Sequence, residues 1–244
     1  GVDSAVSFHA RDAQVLRLLN PGSYADRGSL DEVLLAPLAR ELQAAAGTPA
    51  LVVLHTLGNH FNYAHRHPPA FEHFRPSLSD RPFDPATTTV REIENAYDNA
   101  TRYADHVLAE VIARVQATGR RAAVVYVSDH GEDLREPGCM AMDFVRRSAA
   151  SFRVPAFVWF SPAMRAADPA RWHSLQALAS RPQAHDFVVE TLLDLAGVQV
   201  SPSAVPVRGV GLWSTRAVSR EVVPQSGGRV DFDAAEARQR CVIR

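Results

Sequence analysis

Five consecutive residues, Ser128-Asp129-His130-Gly131-Glu132, set a carboxylate beside an imidazole. One hard oxygen and one borderline nitrogen form the donor pair that Zn²⁺ or Mn²⁺ accepts. The alternative for the same residues is a turn closed by an Asx-type bond from Asp129. A second group is His55-Thr56-Leu57-Gly58-Asn59-His60, and five of the ten histidines fall between His55 and His73. Prolines at 68 and 69 keep that stretch from being helical, which excludes an HExxH-type zinc helix. His60, directly after Gly58-Asn59, is the candidate for chemistry; for His65, His67 and His73 the default is a surface or internally satisfied loop residue.

Both groups follow apolar runs. Ala122-Ala123-Val124-Val125-Tyr126-Val127 is continuous, β-branched and aromatic, the pattern of a strand covered on both faces in a parallel α/β sheet. Such sheets hold ligands at the carboxyl ends of their strands, and Gly131 is expected to let the backbone turn away there. Ala50-Leu51-Val52-Val53-Leu54 predicts a second strand leading into His55. Ser29-Leu30-Asp31-Glu32 has a capping arrangement that opens a helix from Leu30 to about Ala46. A long helix is predicted from about Val90 to Thr118, with Ile93, Ala96, Tyr97, Ala100, Ala104, Val107, Leu108, Val111 and Val115 as its core stripe. Asp98 and Asp105 on that helix are read as solvated or capping residues rather than paired carboxylates, and the Asn99-Ala100-Thr101 sequon is discounted as mid-helix. A strand is expected over Val154 to Trp159, and a helix from Phe187 to Ala196 with a local capping bond from His185-Asp186. Val210 to Thr215 and Arg229 to Phe232 read as short strands of a hairpin-like appendage.

Taken together and in order, these segments resemble the catalytic domains of bacterial phosphoethanolamine transferases, in the alkaline phosphatase and sulfatase superfamily. The likeness rests on His55 to His60, on Ala96-Tyr97-Asp98-Asn99-Ala100, on Tyr126 to Glu132, on Val154 to Trp159 and on Ala184-His185-Asp186, and it extends to about Gly197. It implies a three-layer α/β sandwich with a mostly parallel central sheet, the whole of residues 1–244 being the carboxyl-terminal part of one such domain. By this resemblance Asp129 and His130 ligate the catalytic metal, zinc or alternatively manganese, and His60 lies beside the substrate phosphate or a second metal. The family also uses an upstream acidic ligand and a threonine nucleophile. Before His55 the hydroxyl residues are Ser4, Ser7, Ser23, Tyr24, Ser29 and Thr48, and none has the small-residue, strand-to-helix setting of that nucleophile. The expectation is that both groups belong to a missing amino-terminal part. A further departure is Met142, near where the family commonly carries another histidine; Cys139 is read as an ordinary loop thiol.

The implied reaction has two displacements. A metal-activated threonine takes phosphoethanolamine from phosphatidylethanolamine, and a sugar hydroxyl of lipid A or another envelope glycan then accepts it. His60 would neutralise the transferring phosphoryl group or protonate the departing oxygen. A sulfatase or phosphodiesterase of the same superfamily, or a non-catalytic glycan-binding domain of the same fold, stays open. The resemblance also implies amino-terminal helices anchoring the domain in the inner membrane, facing the periplasm.

Composition agrees with a single α/β core: 244 residues, 46% hydrophobic. A net charge of −1 gives no general attraction to nucleic acid or anionic membranes. All 26 basic residues are arginine, so contacts to phosphate fall to arginine and histidine. Cys139 and Cys241 allow no disulfide framework. No stretch approaches the about twenty apolar residues of a membrane span, and no signal peptide opens the chain.

Overall fold

The computed structural model describes residues 10–20, 28–134, 149–199, 218, 220–223 and 228–237. The expectations for Met142, Cys139, Cys241 and Val210 to Thr215 lie outside them. The chain forms two compact units, Gly1–Thr118 and Gly119–Arg244.

In the first unit a 3-10 turn, Asp31–Leu34, runs into helix α1, Leu35–Ala44. The predicted cap at Ser29 is not formed, because Leu30 holds the N-cap position and no side chain caps it. Ser29 instead donates its hydroxyl to the Leu19 carbonyl, and Asp31 serves a different segment. Helix α2, Val90–Ala117, begins at a full capping box between Thr89 and Glu92. Of the predicted stripe Ile93, Ala96, Ala100, Val107, Val111 and Val115 are buried, Tyr97, Ala104 and Leu108 are half-buried, and Tyr103 joins the buried face. Tyr103, Val107 and Val111 pack with Leu35 and Leu38 of α1, flanked by Leu30, Leu42, Leu54 and Phe71. Burial pushes the Tyr103 phenol up to about 12, and its oxygen accepts the Glu32 N–H at 3.4 Å. Asp98 and Asp105 are exposed, in keeping with the solvated reading.

The Ala50 to Leu54 strand is not formed. Leu51 and Val53 are 69% and 74% exposed, and no ladder includes them. A strand needs a hydrogen-bonded neighbour, and among the described residues none runs beside this segment; only Leu54 reaches the core.

Glu92 is the most heavily engaged acid of α2. Its two oxygens receive Arg81 Nε and Nη2 at 2.7 and 2.8 Å, and the Thr89 N–H and hydroxyl at 2.8 and 2.7 Å. The hydrogen bonds from Arg81, then those from Thr89, lower its carboxyl to about 2 from 4.5. A carboxyl depressed in the folded state contributes stability that is present above its unfolded value and is lost as pH falls through the folded one. The window therefore runs from about 4.5 down to about 2. In an acid titration followed by circular dichroism, Glu92→Gln is expected to be the less stable protein at neutral pH. The difference from wild type should close across that window.

The second unit is built on β1, Ala123–Val127, and β2, Ala156–Phe160. The two pair antiparallel, with Ala123 opposite Phe160 and Val127 opposite Ala156. The ladder is thus antiparallel at the strand expected to lie in a parallel sheet, and β1 is half-buried along its length. Tyr126 and Phe157 stack across it with centroids 5.2 Å apart. A short helix α3, Ala149–Phe152, precedes β2. Ser161, 2% exposed, ends β2 and caps α4, Pro162–Ala167, accepting the N–H of Ala122 and of Met164 while donating to the Arg120 carbonyl. Helix α5, Pro169–Leu178, starts on the Asp168 side chain. Helix α6, Phe187–Ala196, spans the predicted residues and stops at Gly197, whose φ of 68° lets the Val198 N–H reach the Leu193 carbonyl. The capping bond expected from His185-Asp186 is absent: Asp186 makes no side-chain cap. A small ladder, β3 (Glu221–Val222) with β4 (Val230–Asp231), leads into α7, Phe232–Ala237, and matches the second expected strand of the appendage. Among the described residues no helix is long and apolar enough to cross a membrane.

Candidate metal centre

Strand β1 ends at Val127, and each of the next four residues is fixed by a hydrogen bond. The Ser128 N–H reaches the Pro155 carbonyl at 3.3 Å, and its hydroxyl donates to the His130 carbonyl at 2.8 Å. The Asp129 carboxylate accepts the His130 N–H at 3.0 Å, and the Gly131 N–H reaches the Ser151 carbonyl at 2.9 Å. Glycine at 131 answers a close approach rather than a turn. A Cβ there would lie 2.0 Å from the Ala150 carbonyl oxygen and 2.7 Å from that of Arg153.

The His130 ring is held by Nδ1, 2.7 Å from the Gly131 carbonyl oxygen. A carbonyl only accepts, so the proton sits on Nδ1 and Nε2 carries the lone pair. That tautomer is the one a metal-ligating histidine adopts when its second nitrogen is tied to a carbonyl. Nε2 lies 3.8 Å from Asp129 Oδ2, beyond hydrogen-bond range, and the Asp129 side chain is 86% exposed. Two donors of the types zinc prefers therefore stand 3.8 Å apart, close enough to share a metal ion as part of its ligand set. Among the described residues no group of three or more His, Cys, Asp or Glu side chains is gathered to hold a metal. The pair supplies at most half of a tetrahedral set.

His60 belongs to the first unit, and Asp129 and His130 to the second. The loop carrying His60 is held at both ends by groups that sequence inspection did not single out for this task. Asp31 accepts the Leu57 and Gly58 N–H groups at 2.9 and 2.8 Å, a two-point grip by one carboxylate. Arg66, 4% exposed, donates Nε to the His60 carbonyl at 2.8 Å. Burial lowers its guanidinium from the ordinary value, and the Asp31 charge opposes that. The His60 ring itself sits with Nδ1 2.5 Å from the Phe61 carbonyl oxygen. No motif reveals Asp31 or Arg66, since both act through long-range main-chain contacts; a carboxylate in a helix's first turn reads from sequence as a capping residue. Of the remaining histidines, His73 is exposed as expected. His67 is buried, with Nε2 3.4 Å from Glu72 Oε2 and Nδ1 3.2 Å from the Pro68 carbonyl oxygen, the internally satisfied alternative of its expected role.

Residues 1–198 match the family described as "Sulfatase". The chain is 35% identical over 139 residues to the Kdo(2)-lipid A phosphoethanolamine 7''-transferase of Escherichia coli K12, an alignment covering 54% of this chain and 23% of that protein. It is 29% identical over 193 residues to phosphoethanolamine transferase EptA of Salmonella typhimurium LT2, covering 77% and 35%. Thus the chain spans about a third or less of these relatives' lengths. Among solved structures it is similar to the C-terminal periplasmic domain of EcEptC from Escherichia coli in complex with Zn, with a TM-score of 0.77 at 23% identity over 95% of this chain and 64% of that one. At that identity the likeness carries the fold, an α/β architecture of the alkaline phosphatase and sulfatase type.

Proposed function

The chain belongs to the sulfatase family, and from that membership we propose that it forms part of a metal-dependent phosphoethanolamine transferase acting on lipid A or a related envelope glycan. The observation that carries the proposal is the His130 ring, locked by Gly131 with Nε2 3.8 Å from the exposed Asp129 carboxylate. The relatives named above supply the reaction class. We assign Asp129 and His130 to a zinc ion, in keeping with the Zn complex of the EptC domain. Zinc would supply a Lewis acid that lowers the pKa of a hydroxyl nucleophile and polarises the phosphoryl oxygen.

The chain's own residues do the positioning. Asp129 contributes a hard anionic oxygen, and His130 a neutral nitrogen whose basicity is raised by the bond at Nδ1. His60 is assigned to the transferring phosphoryl group, on a loop that Asp31 and Arg66 hold from both sides. The two displacements expected from sequence, with phosphatidylethanolamine as donor and a covalent threonine intermediate, are retained in the proposal. Both compact units are assigned to one domain, because the family match runs through their boundary at residue 118. A periplasmic catalytic domain is part of the proposal, supported by the periplasmic domain of EcEptC, and inner-membrane anchoring is retained with it from the sequence resemblance.

The test is a transfer assay on the parent protein with phosphatidylethanolamine as donor and lipid A as acceptor, read by mass spectrometry. Lipid A is expected to gain phosphoethanolamine with wild type and not with His130→Ala. Sulfate release from an aryl sulfate, with no transfer to lipid A, would reassign the chain to a sulfatase.

A further inference from the structure

We infer that His185 is a positioning residue for the proposed metal centre: it clamps the peptide from which Asp129 and His130 leave the strand. The inference rests on the assignment of those two residues to a metal.

The peptide unit joining Ser128 to Asp129 is rigid and planar, so fixing the Ser128 carbonyl also fixes the direction in which the Asp129 backbone starts. That carbonyl oxygen accepts a hydrogen bond from His185 Nε2 at 2.7 Å. The other anchors of the segment are main-chain bonds to the residues around the start of β2, or bonds within the segment itself. Ser128 and Gly131 are tied to Pro155 and Ser151, and the remaining bonds run among residues 128 to 131. Among the described residues, His185 alone brings a side chain to the segment from elsewhere in the chain, 57 residues away. It stands two residues before α6, whose first turns are fixed by Phe187 and Thr191, 3% and 0% exposed. The hydrogen bond thus ties the ligand-bearing strand end to a packed helix. Because a carbonyl can only accept, Nε2 must carry a proton in either charge state of the ring, and the clamp does not depend on a titration.

Two substitutions separate a clamp from mere bulk. His185→Leu keeps an apolar side chain and removes the donor; His185→Gln keeps an N–H at comparable reach. Hydrogen exchange on the metal-free chain reads the clamp directly. Zinc titration followed by the ring ¹⁵N signals of His130 reads its effect on the ligand, including weak binding.

With His185→Leu the amides of residues 128 to 131 are expected to exchange several-fold faster while those of α6 stay protected. Zinc affinity should fall about tenfold, the lower end of what loss of an outer-shell partner costs. His185→Gln should restore both. Unchanged exchange in the Leu variant overturns the inference, as does equal loss of zinc affinity in both variants. Faster exchange with unaltered zinc binding would make the bond purely structural and overturns it too. If wild type shows no zinc effect on the His130 ring, the metal assignment falls and the inference with it, whatever the exchange shows.

Discussion

Asp129→Ala and His130→Ala are each expected to abolish measurable zinc binding by this chain. Among the described residues the proposed site offers two protein donors, so removing either leaves a single one, and a lone carboxylate or imidazole holds zinc no better than any surface residue. Loss of an outer-shell partner costs roughly 10- to 100-fold in affinity, and loss of one of these two direct ligands should exceed that. Calorimetry with Zn²⁺ and elemental analysis after dialysis measure it. His130→Gln makes the sharper variant, because it keeps a polar side chain of similar length without a basic nitrogen. If the proton-on-Nδ1 tautomer prepares Nε2 as ligand, His130→Gln fails as fully as His130→Ala. Zinc retained by either His130 variant at wild-type affinity would show that the metal sits elsewhere. The folded state should be unaffected in Asp129→Ala, whose side chain is 86% exposed, so a loss of binding there cannot be ascribed to unfolding.

The site was legible to the extent that its chemistry is local. Asp129 and His130 are neighbours on the chain, and the apolar run before them announces the strand end. What the sequence concealed is the apparatus around them, the Gly131 carbonyl on His130 Nδ1 and the His185 bond to Ser128. Such bonds depend on how separate segments converge, and a carbonyl acceptor carries no signature in residue type. His185-Asp186 was noticed as a helix start, and its reach to Ser128 could not be. The fold divides along the same line. Helix α2 declares itself through a 3.6-residue stripe and a capping box, both contained within its own sequence. The Ala50 to Leu54 run has an equally clear apolar composition, yet strand formation is decided by a neighbour, and composition is silent about whether one is present. Antiparallel pairing of β1 with β2 was hidden for the same reason, since a continuous apolar run specifies burial rather than direction.

Asn99→Ala is expected to destabilise the first unit by about 3 kcal/mol. Asn99 is wholly buried in α2, and its amide makes four hydrogen bonds. Oδ1 accepts the His73 and Phe74 N–H groups at 2.9 and 2.8 Å, while Nδ2 donates to the Phe74 carbonyl and to Glu72 Oε1, both at 3.0 Å. Every capacity of the side chain is used, and each partner lies in one short stretch that no helix or strand supports. Removing the amide leaves the part-buried main-chain groups of His73 and Phe74 without this partner; a fully buried orphan costs about 1–3 kcal/mol, and water entering the space recovers part of that. A thermal scan should register a midpoint lowered by roughly 10 °C. Asn99→Asp distinguishes this account from simple loss of volume. The carboxylate still accepts from His73 and Phe74, but it faces Glu72 where an N–H did. At neutral pH it should therefore be at least as damaging as alanine, despite near-identical shape. Lowering the pH protonates one of the two carboxyls, which recreates a donor between them, so Asn99→Asp should recover relative to Asn99→Ala as the solution is acidified. Parallel pH profiles for the two variants would mean that packing around the helix, rather than the hydrogen bonds of residue 99, holds the 72–74 segment in place.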